Sequence, residues 1–325
     1  MVLPEQFAFV ASILVTFCLC LVAKSYLARS VFPHFELLQD LDRATDFMEI
    51  NVVVAFLVGL VLSVGALLYF DSGKAKPVLN PTEWQKFHLM EKKQLSSNTA
   101  KYRFRLPKQN SILGLPIGQH ISVQADINGK TVMRSYTPTS SDDDKGFFDL
   151  VVKSYEQGNV SKYMAAMKIG DVLSVKGPKG QMRYSPGLAR HLGMIAGGTG
   201  LTPCLQIITA ICKNPADKTQ VDFIYANVKE DDILLKEDLD RLAREHKDQF
   251  RIHYFLNEAP PNWTGGTGFV SKEAIEQNLP KPADDIKILM CGPPPMINAM
   301  KKHLSELNYQ APRTVSKMED QVFCF

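Results

Sequence analysis

The chain of 325 residues has no C-x-x-C pair and no histidine at ligand spacing from its six cysteines, which stand at 18, 20, 204, 212, 291 and 324. That absence argues against a zinc site or a disulfide scaffold and fits a reducing compartment. An excess of either charge is also missing. The 37 basic and 34 acidic residues leave a net charge of +3, too balanced for a nucleic-acid-binding surface read from totals. No internal repeat or low-complexity tract is visible, and an apolar share of 45% excludes disorder. The length suits about two domains. Residues 1–76 carry five basic and seven acidic side chains, so residues 77–325 hold 32 basic and 27 acidic, net +5. The cationic surplus lies in the second part.

What is present at the start is apolar. Residues 52–70 (VVVAFLVGLVLSVGALLYF) form an uncharged run of nineteen, the length that spans a hydrocarbon core of about 30 Å as a helix. Only Ser63 and two glycines interrupt it, and Tyr69 suits a membrane interface. Residues 7–23 form a shorter uncharged run of seventeen, read as a second span, with a signal peptide or an interfacial helix as rivals. The leader MVLPEQ lacks the Lys or Arg of a signal peptide's first region. Residues 1–76 are therefore expected to be a membrane anchor and linker, and the flanking basic residues favour neither orientation.

From residue 77 to 185 the pattern is β. Tyr102, Phe104 and Leu106 alternate with polar residues, as do Ile121, Val123 and Ala125, and FFDLVVK (147–153) and DVLSV (171–175) are short strand-like runs. An antiparallel β-barrel or sandwich is expected there. From 186 to 325 strands alternate with helices: runs at 192–196, 221–226, 252–256 and 286–290 intersperse with helical faces such as Leu235, Leu239 and Leu242 or Met296, Ile297, Met300, Leu304 and Leu307. That order predicts a parallel sheet in an α/β domain, so the class is α+β with two soluble domains.

Several motifs carry chemistry. GGTGLTP (197–203) leaves a strand and opens a helix, so its glycines can bring backbone N–H groups against a pyrophosphate. It is not G-x-G-x-x-G, and Ala226 and Asn227 stand where a dinucleotide fold of the usual kind carries an acidic residue. CGPPPM (291–296) follows another strand, and its three prolines predict a rigid loop at a ligand-binding sheet edge. RSYT (134–137) combines a guanidinium, a ring and a hydroxyl. KSY (153–155) and GNVS (158–161) follow, the latter a turn whose Ser161 is a candidate helix cap.

Taken in order, GQH (118–120), RSYT, K-x-Y with G-x-x-S, GGTGLTP and CGPPPM with an aromatic C-terminus resemble the NADH-cytochrome b5 reductases of the ferredoxin-reductase-like superfamily, over about residues 80–325. The resemblance implies FAD and NADH as cofactors. It implies that Arg134, Ser135, Tyr136 and Thr137 hold FAD, that Val151, Lys153 and Tyr155 line the same site, and that Gly158, Asn159, Val160 and Ser161 bind the pyrophosphate. Gly197, Gly198, Thr199, Gly200 and Thr202 would face flavin and nicotinamide, and Cys291, Gly292, Pro293, Pro294 and Met296 would lie beside the nicotinamide. Thr137, Lys153 and Cys291 are the three it places at the chemistry. Asn257, where the family has a carboxylate, and Phe269 would meet the adenine ribose.

The activity implied is hydride transfer from NADH to FAD and single-electron transfer to cytochrome b5, with a metal protein of diphthamide synthesis as a further acceptor. Lys153 and Lys162 are candidate docking residues for an acidic partner. The lipid bilayer is the other partner, and nucleic acid is not one. The catalytic part is expected in the cytosol, held at the endoplasmic reticulum, the mitochondrial outer membrane or both. The alternatives are a reductase of the same fold serving another haem or iron–sulfur acceptor, and a non-catalytic membrane adaptor.

Overall fold

The computed structural model describes residues 76–325 continuously and, before them, 16, 20, 23–32, 34–44, 54, 58–61 and 65. The chain divides into two compact units, Met1–Lys74 and Ala75–Phe325. In the first, a π-helical turn (Leu27–Val31) precedes helix α1 (Glu36–Ala44). The buried Asp42 of α1 accepts from Ser25 Oγ (2.7 Å) and Arg29 Nε (2.8 Å), tying the two together. Apart from isolated positions, the apolar runs 7–23 and 52–70 lie outside the described residues. Among the described residues no helix is long and apolar enough to cross a membrane.

The second unit opens with antiparallel strands β1 (Gln85–Ser96), β2 (Thr99–Arg105), β3 (His120–Ile127), β4 (Lys130–Tyr136), β5 (Phe147–Lys153) and β6 (Val172–Lys179), with helix α2 (Asn159–Ala166) before β6. Period-two alternation sends Tyr102 and Phe104 of β2, and Ile121, Val123 and Ala125 of β3, into the core, as expected from the sequence. Phe148 stacks on Phe104 and meets Phe87 edge-on, each pair 5.2 Å between ring centres. Buried aromatic side chains of this kind contribute about 1.5–3 kcal/mol each.

The strand order is β4-β3-β6-β1-β2-β5. Edge strands β4 and β5 do not pair, so hydrogen bonding does not close the expected barrel. Two bonds tie the chain after β4 to β5: Thr139 N–H donates to Asp149 O (3.0 Å) and Asp149 N–H to Ser140 Oγ (2.9 Å). The ends of both edges line a cleft instead of meeting.

The α/β half opens with β7 (His191–Gly197), α3 (Leu201–Lys213), β8 (Gln220–Asn227), α4 (Lys236–Glu245), β9 (Phe250–Leu256), β10 (Gly266–Thr267) and α5 (Lys272–Asn278). Then follow β11 (Ile286–Cys291), α6 (Pro294–Glu306) and β12 (Val322–Cys324). The strands are all parallel, in the order β10-β9-β8-β7-β11-β12. Every residue of β7 is buried, as a strand covered on both faces requires. Leu192, Met194 and Ala196 pack with α3 on one face, whereas Ile195 packs with α5 and α6 on the other.

Two local expectations change. The three prolines do not form a loop of their own: Pro293 is the N-cap of α6 and Pro294 its first residue. A first turn has no use for the N–H that proline lacks, and its fixed φ is already helical. Ser161 is likewise not the cap of α2. Gly158 takes that position with extended backbone, and Ser161 is the third helical residue.

Candidate active site

Register places the carboxyl ends of four strands in a row. Cys291 of β11 pairs with Ala196 of β7, Gly197 with Ala226 of β8, and Asn227 with Leu256 of β9. Opposite them stand the ends of β4 and β5. Between the two halves runs a cleft of about 1270 Å³. Arg134, Ser135, Tyr136, Thr137, Val151, Lys153 and Tyr155 line it from the β half, together with Gly158, Asn159, Val160 and Ser161 at the start of α2. Gly197, Gly198, Thr199, Gly200, Thr202, Asn257, Phe269, Cys291, Gly292, Pro293 and Met296 line it from the α/β half. Of the residues named from the sequence, Pro294 alone is absent from the wall. Its neighbour Pro295 lines the cleft instead, because the first turn of α6 rotates Pro294 away.

Glycine makes this packing possible. A Cβ on Gly197 would meet Met296 Sδ at 2.5 Å and Pro293 Cδ at 3.0 Å, and one on Gly200 would overlap the Cys291 carbonyl. Gly198 has φ +56° and open space where a Cβ would stand, so there the requirement is conformational. The Tyr225 hydroxyl holds that turn by donating to Gly198 O (3.0 Å). At the start of α2 a Cβ on Gly158 would collide with Ser161 Oγ, and the helix has no side-chain cap, so its first N–H groups remain for a ligand.

Electrostatics differ along the wall. Arg134 is exposed and donates to Met133 O (2.7 Å). Burial pushes the Tyr136 hydroxyl up to about 12 and lowers the His120 imidazole, which is therefore neutral near pH 7. Cys291 is pushed up to about 12, first by burial and then by Cys324, so its thiol is protonated. Phe269 offers a ring that is 84% exposed at the outer end. Asn257 is exposed beside it, and the following Glu258 pairs with Lys229 Nζ (3.2 Å). Lys153, a candidate docking residue from the sequence, is instead bound to Asp232 at 2.6 Å within the cleft wall, while Lys162 is exposed on α2.

Sequence reasoning passed over His120, Asn227, Asp232 and Phe325 as wall residues. Neither amide atom of buried Asn227 finds a hydrogen-bond partner among the described residues. A signal existed for His120 and Phe325, which belong to the quoted motifs. None existed for Asp232, which comes to the cleft only through tertiary structure.

Residues 86–184 match the oxidoreductase FAD-binding domain and residues 194–302 the oxidoreductase NAD-binding domain. The chain is 75% identical over all 325 residues, the full length of both chains, to "NADH-cytochrome b5 reductase 1" of Mycosarcoma maydis. A relative of the same name from Aspergillus oryzae is 59% identical over 81% of this chain and 92% of its own. The chain belongs to the NADH-cytochrome b5 reductase family. Among solved structures, the cytochrome b5 reductase domain of Ulva prolifera nitrate reductase matches with a TM-score of 0.71 at 35% identity, covering 77% of this chain and all of that one.

FAD and NADH are accordingly the cofactors, and the residues present fit them. An uncapped helix start beside an arginine suits a pyrophosphate, and backbone held close by Gly197 and Gly200 suits a second dinucleotide. The cleft is larger than the roughly 300–1,000 Å³ that suffices for one drug-sized ligand.

Proposed function

We propose that the protein takes hydride from NADH and passes electrons singly to cytochrome b5 from a cytosolic domain held at a membrane. The observation that carries this reading is the single cleft walled by the motifs of both halves. Bound FAD would supply the exchange of one hydride for two single electrons. Arg134 and the N–H groups of Asn159, Val160 and Ser161 would hold its pyrophosphate, with Tyr136 and Thr137 against the ring region. The backbone of Gly197, Gly198 and Gly200 would bring the nicotinamide donor alongside, within the roughly 3–3.5 Å that transfer requires. Cys291, protonated and inert as a nucleophile, would position the nicotinamide by contact rather than react.

A metal protein of diphthamide synthesis is the further acceptor in this reading. The apolar runs 7–23 and 52–70 support attachment to the endoplasmic reticulum or the outer mitochondrial membrane. The test is an acceptor panel with purified holoprotein and NADH. Cytochrome b5 should give the highest kcat/KM, with an iron–sulfur protein well below it. A preference for the iron–sulfur acceptor would favour the sister reading of a reductase for another partner. A colourless purified protein that binds no flavin would favour the adaptor.

A further inference from the structure

Side-chain contacts join the two halves of the second unit, among them four charged or short ones, and the Tyr184 hydroxyl also lies 3.1 Å from Thr219 Oγ1. Gly118 N–H donates to Gln206 Oε1 (2.7 Å), the Tyr184 hydroxyl to Asp217 Oδ2 (2.6 Å), Lys213 Nζ pairs with Asp143 (3.1 Å), and Lys153 Nζ binds Asp232 Oδ1 (2.6 Å). Only the last has both partners in the cleft wall. Lys153 ends β5, and Asp232 closes the 3-10 turn Glu230–Asp232 that follows β8, 79 residues away.

The Asp232 carboxylate is itself fixed. Its Oδ2 accepts from Lys229 N–H (3.2 Å), while its own N–H donates to Lys229 O (3.1 Å). One carboxylate oxygen thus anchors the turn and the other is left to hold a cation. The side chains are only 14% and 26% exposed, so the ammonium is held against the wall and not solvated freely. Of the three N–H donors of Lys153 Nζ, one is spent on Asp232, and no other protein acceptor meets it among the described residues.

We propose that Asp232 is a positioning residue: it holds the Lys153 ammonium across the cleft so that the remaining N–H donors meet phosphate oxygens of the bound nicotinamide dinucleotide. FAD also carries a diphosphate. The donor is favoured because Asp232 draws the ammonium toward the carboxyl ends of the parallel strands, where ligands of such sheets bind. A lysine without this partner would sample many rotamers and lose that entropy on each binding event. The inference rests on the reading of the cleft as an NADH site.

The test follows anaerobic bleaching of the flavin by NADH, with no acceptor present. Asp232→Asn keeps size and an acceptor for Lys229 N–H but removes the charge. It should raise the half-saturating NADH concentration about tenfold while retaining FAD. Asp232→Glu should recover most of the loss. Lys153→Ala and the double variant Lys153→Ala/Asp232→Asn should agree within about twofold, because Asp232 acts only through Lys153. Asp143→Asn, which removes a contact between the halves outside the cleft, should leave the concentration at the parent value.

A half-saturation in Asp232→Asn within twofold of the parent would overturn the proposal, as would an undiminished Asp232 effect in the Lys153→Ala background. An equal rise in Asp143→Asn would assign the effect to stapling of the halves. Loss of FAD from Asp232→Asn would assign the ammonium to the flavin cofactor. If NADH does not bleach the parent, the cleft reading fails and the proposal with it. If the parent bleaches normally and Asp232→Asn matches it, only the positioning role fails.

Discussion

Gly200 lies so close to the carbonyl oxygen of Cys291 that a Cβ on Gly200 would overlap it. The loops that end β7 and β11 therefore touch backbone to backbone, and the two motifs form one wall. Gly200→Ala should force them apart, costing about 1–3 kcal/mol and slowing flavin reduction by NADH more than tenfold. Gly198→Ala meets no atom but must hold φ +56°, at about 1–2 kcal/mol. Thermal melts with parallel NADH bleaching separate the two: steric repair elsewhere cannot rescue Gly198→Ala.

Cys291, pushed up to about 12, is a neutral thiol throughout the physiological range. With its folded pKa above the unfolded value near 9, protonation favours the folded state below that value. The advantage fades as pH climbs toward 12. Alkylation of Cys291 at pH 8 should be far slower in folded than in denatured protein, read by peptide mass spectrometry. Cys291→Ser should lower NADH turnover and keep FAD.

At the opposite end of the parallel sheet, buried Asp222 binds Arg251 through two hydrogen bonds (2.6 and 3.1 Å), and His191 Nε2 lies 2.8 Å away. Burial raises the Asp222 carboxyl, but His191 and Arg251 outweigh it and leave the group below its ordinary value. Its stabilisation is present above the unfolded value of about 3.9 and is lost as pH falls through the lower folded one. Asp222→Asn should cost about 1–3 kcal/mol at pH 7, discounted for the partial exposure of Arg251, and flatten the acid limb of the stability curve. Urea melts from pH 7 to 3 check it.

Nicotinamide preference should rest on the outer end of the cleft. Asn257 carries no charge to repel a 2′-phosphate, while Glu258 neutralises the nearby Lys229 (3.2 Å). NADH should remain the better donor, by a modest margin. Asn257→Asp should widen the margin several-fold, and Glu258→Gln should narrow it by freeing a cation for the phosphate. The ratio of kcat/KM for NADH and NADPH decides both.

Docking of an acidic partner should depend on Lys162, exposed on α2, and not directly on Lys153, which is engaged in the cleft. Lys162→Glu should lower kcat/KM for cytochrome b5 several-fold at low salt and reduce its salt dependence, since exposed charges are screened over about 8 Å at physiological ionic strength. Flavin bleaching by NADH should not change.

Strands and helices were largely legible because their signals are local. Alternation of Tyr102, Phe104 and Leu106 or the apolar run of β7 needs only near neighbours in sequence. The motif residues were legible because glycine and proline report backbone demands. What escaped was proximity across the chain. The sequence offers Cys291 no cysteine neighbour, yet pairing of β11 with β12 brings Cys324 close enough to add to the upward push that burial gives its thiol, and Cys291 adds in the same way to the larger effect of burial on Cys204. The Lys153–Asp232 bond joins residues with no pattern between them. The unpaired edges of β4 and β5 are a property of the whole six-stranded order, which no window of residues encodes.

That one cleft takes in a hydride and releases electrons singly is tested most directly by an anaerobic titration of the purified holoprotein. One equivalent of NADH should bleach the flavin, and the bleached protein should then reduce two equivalents of cytochrome b5. A flavin that NADH leaves unbleached, or a bleached flavin that delivers nothing to cytochrome b5, would contradict it.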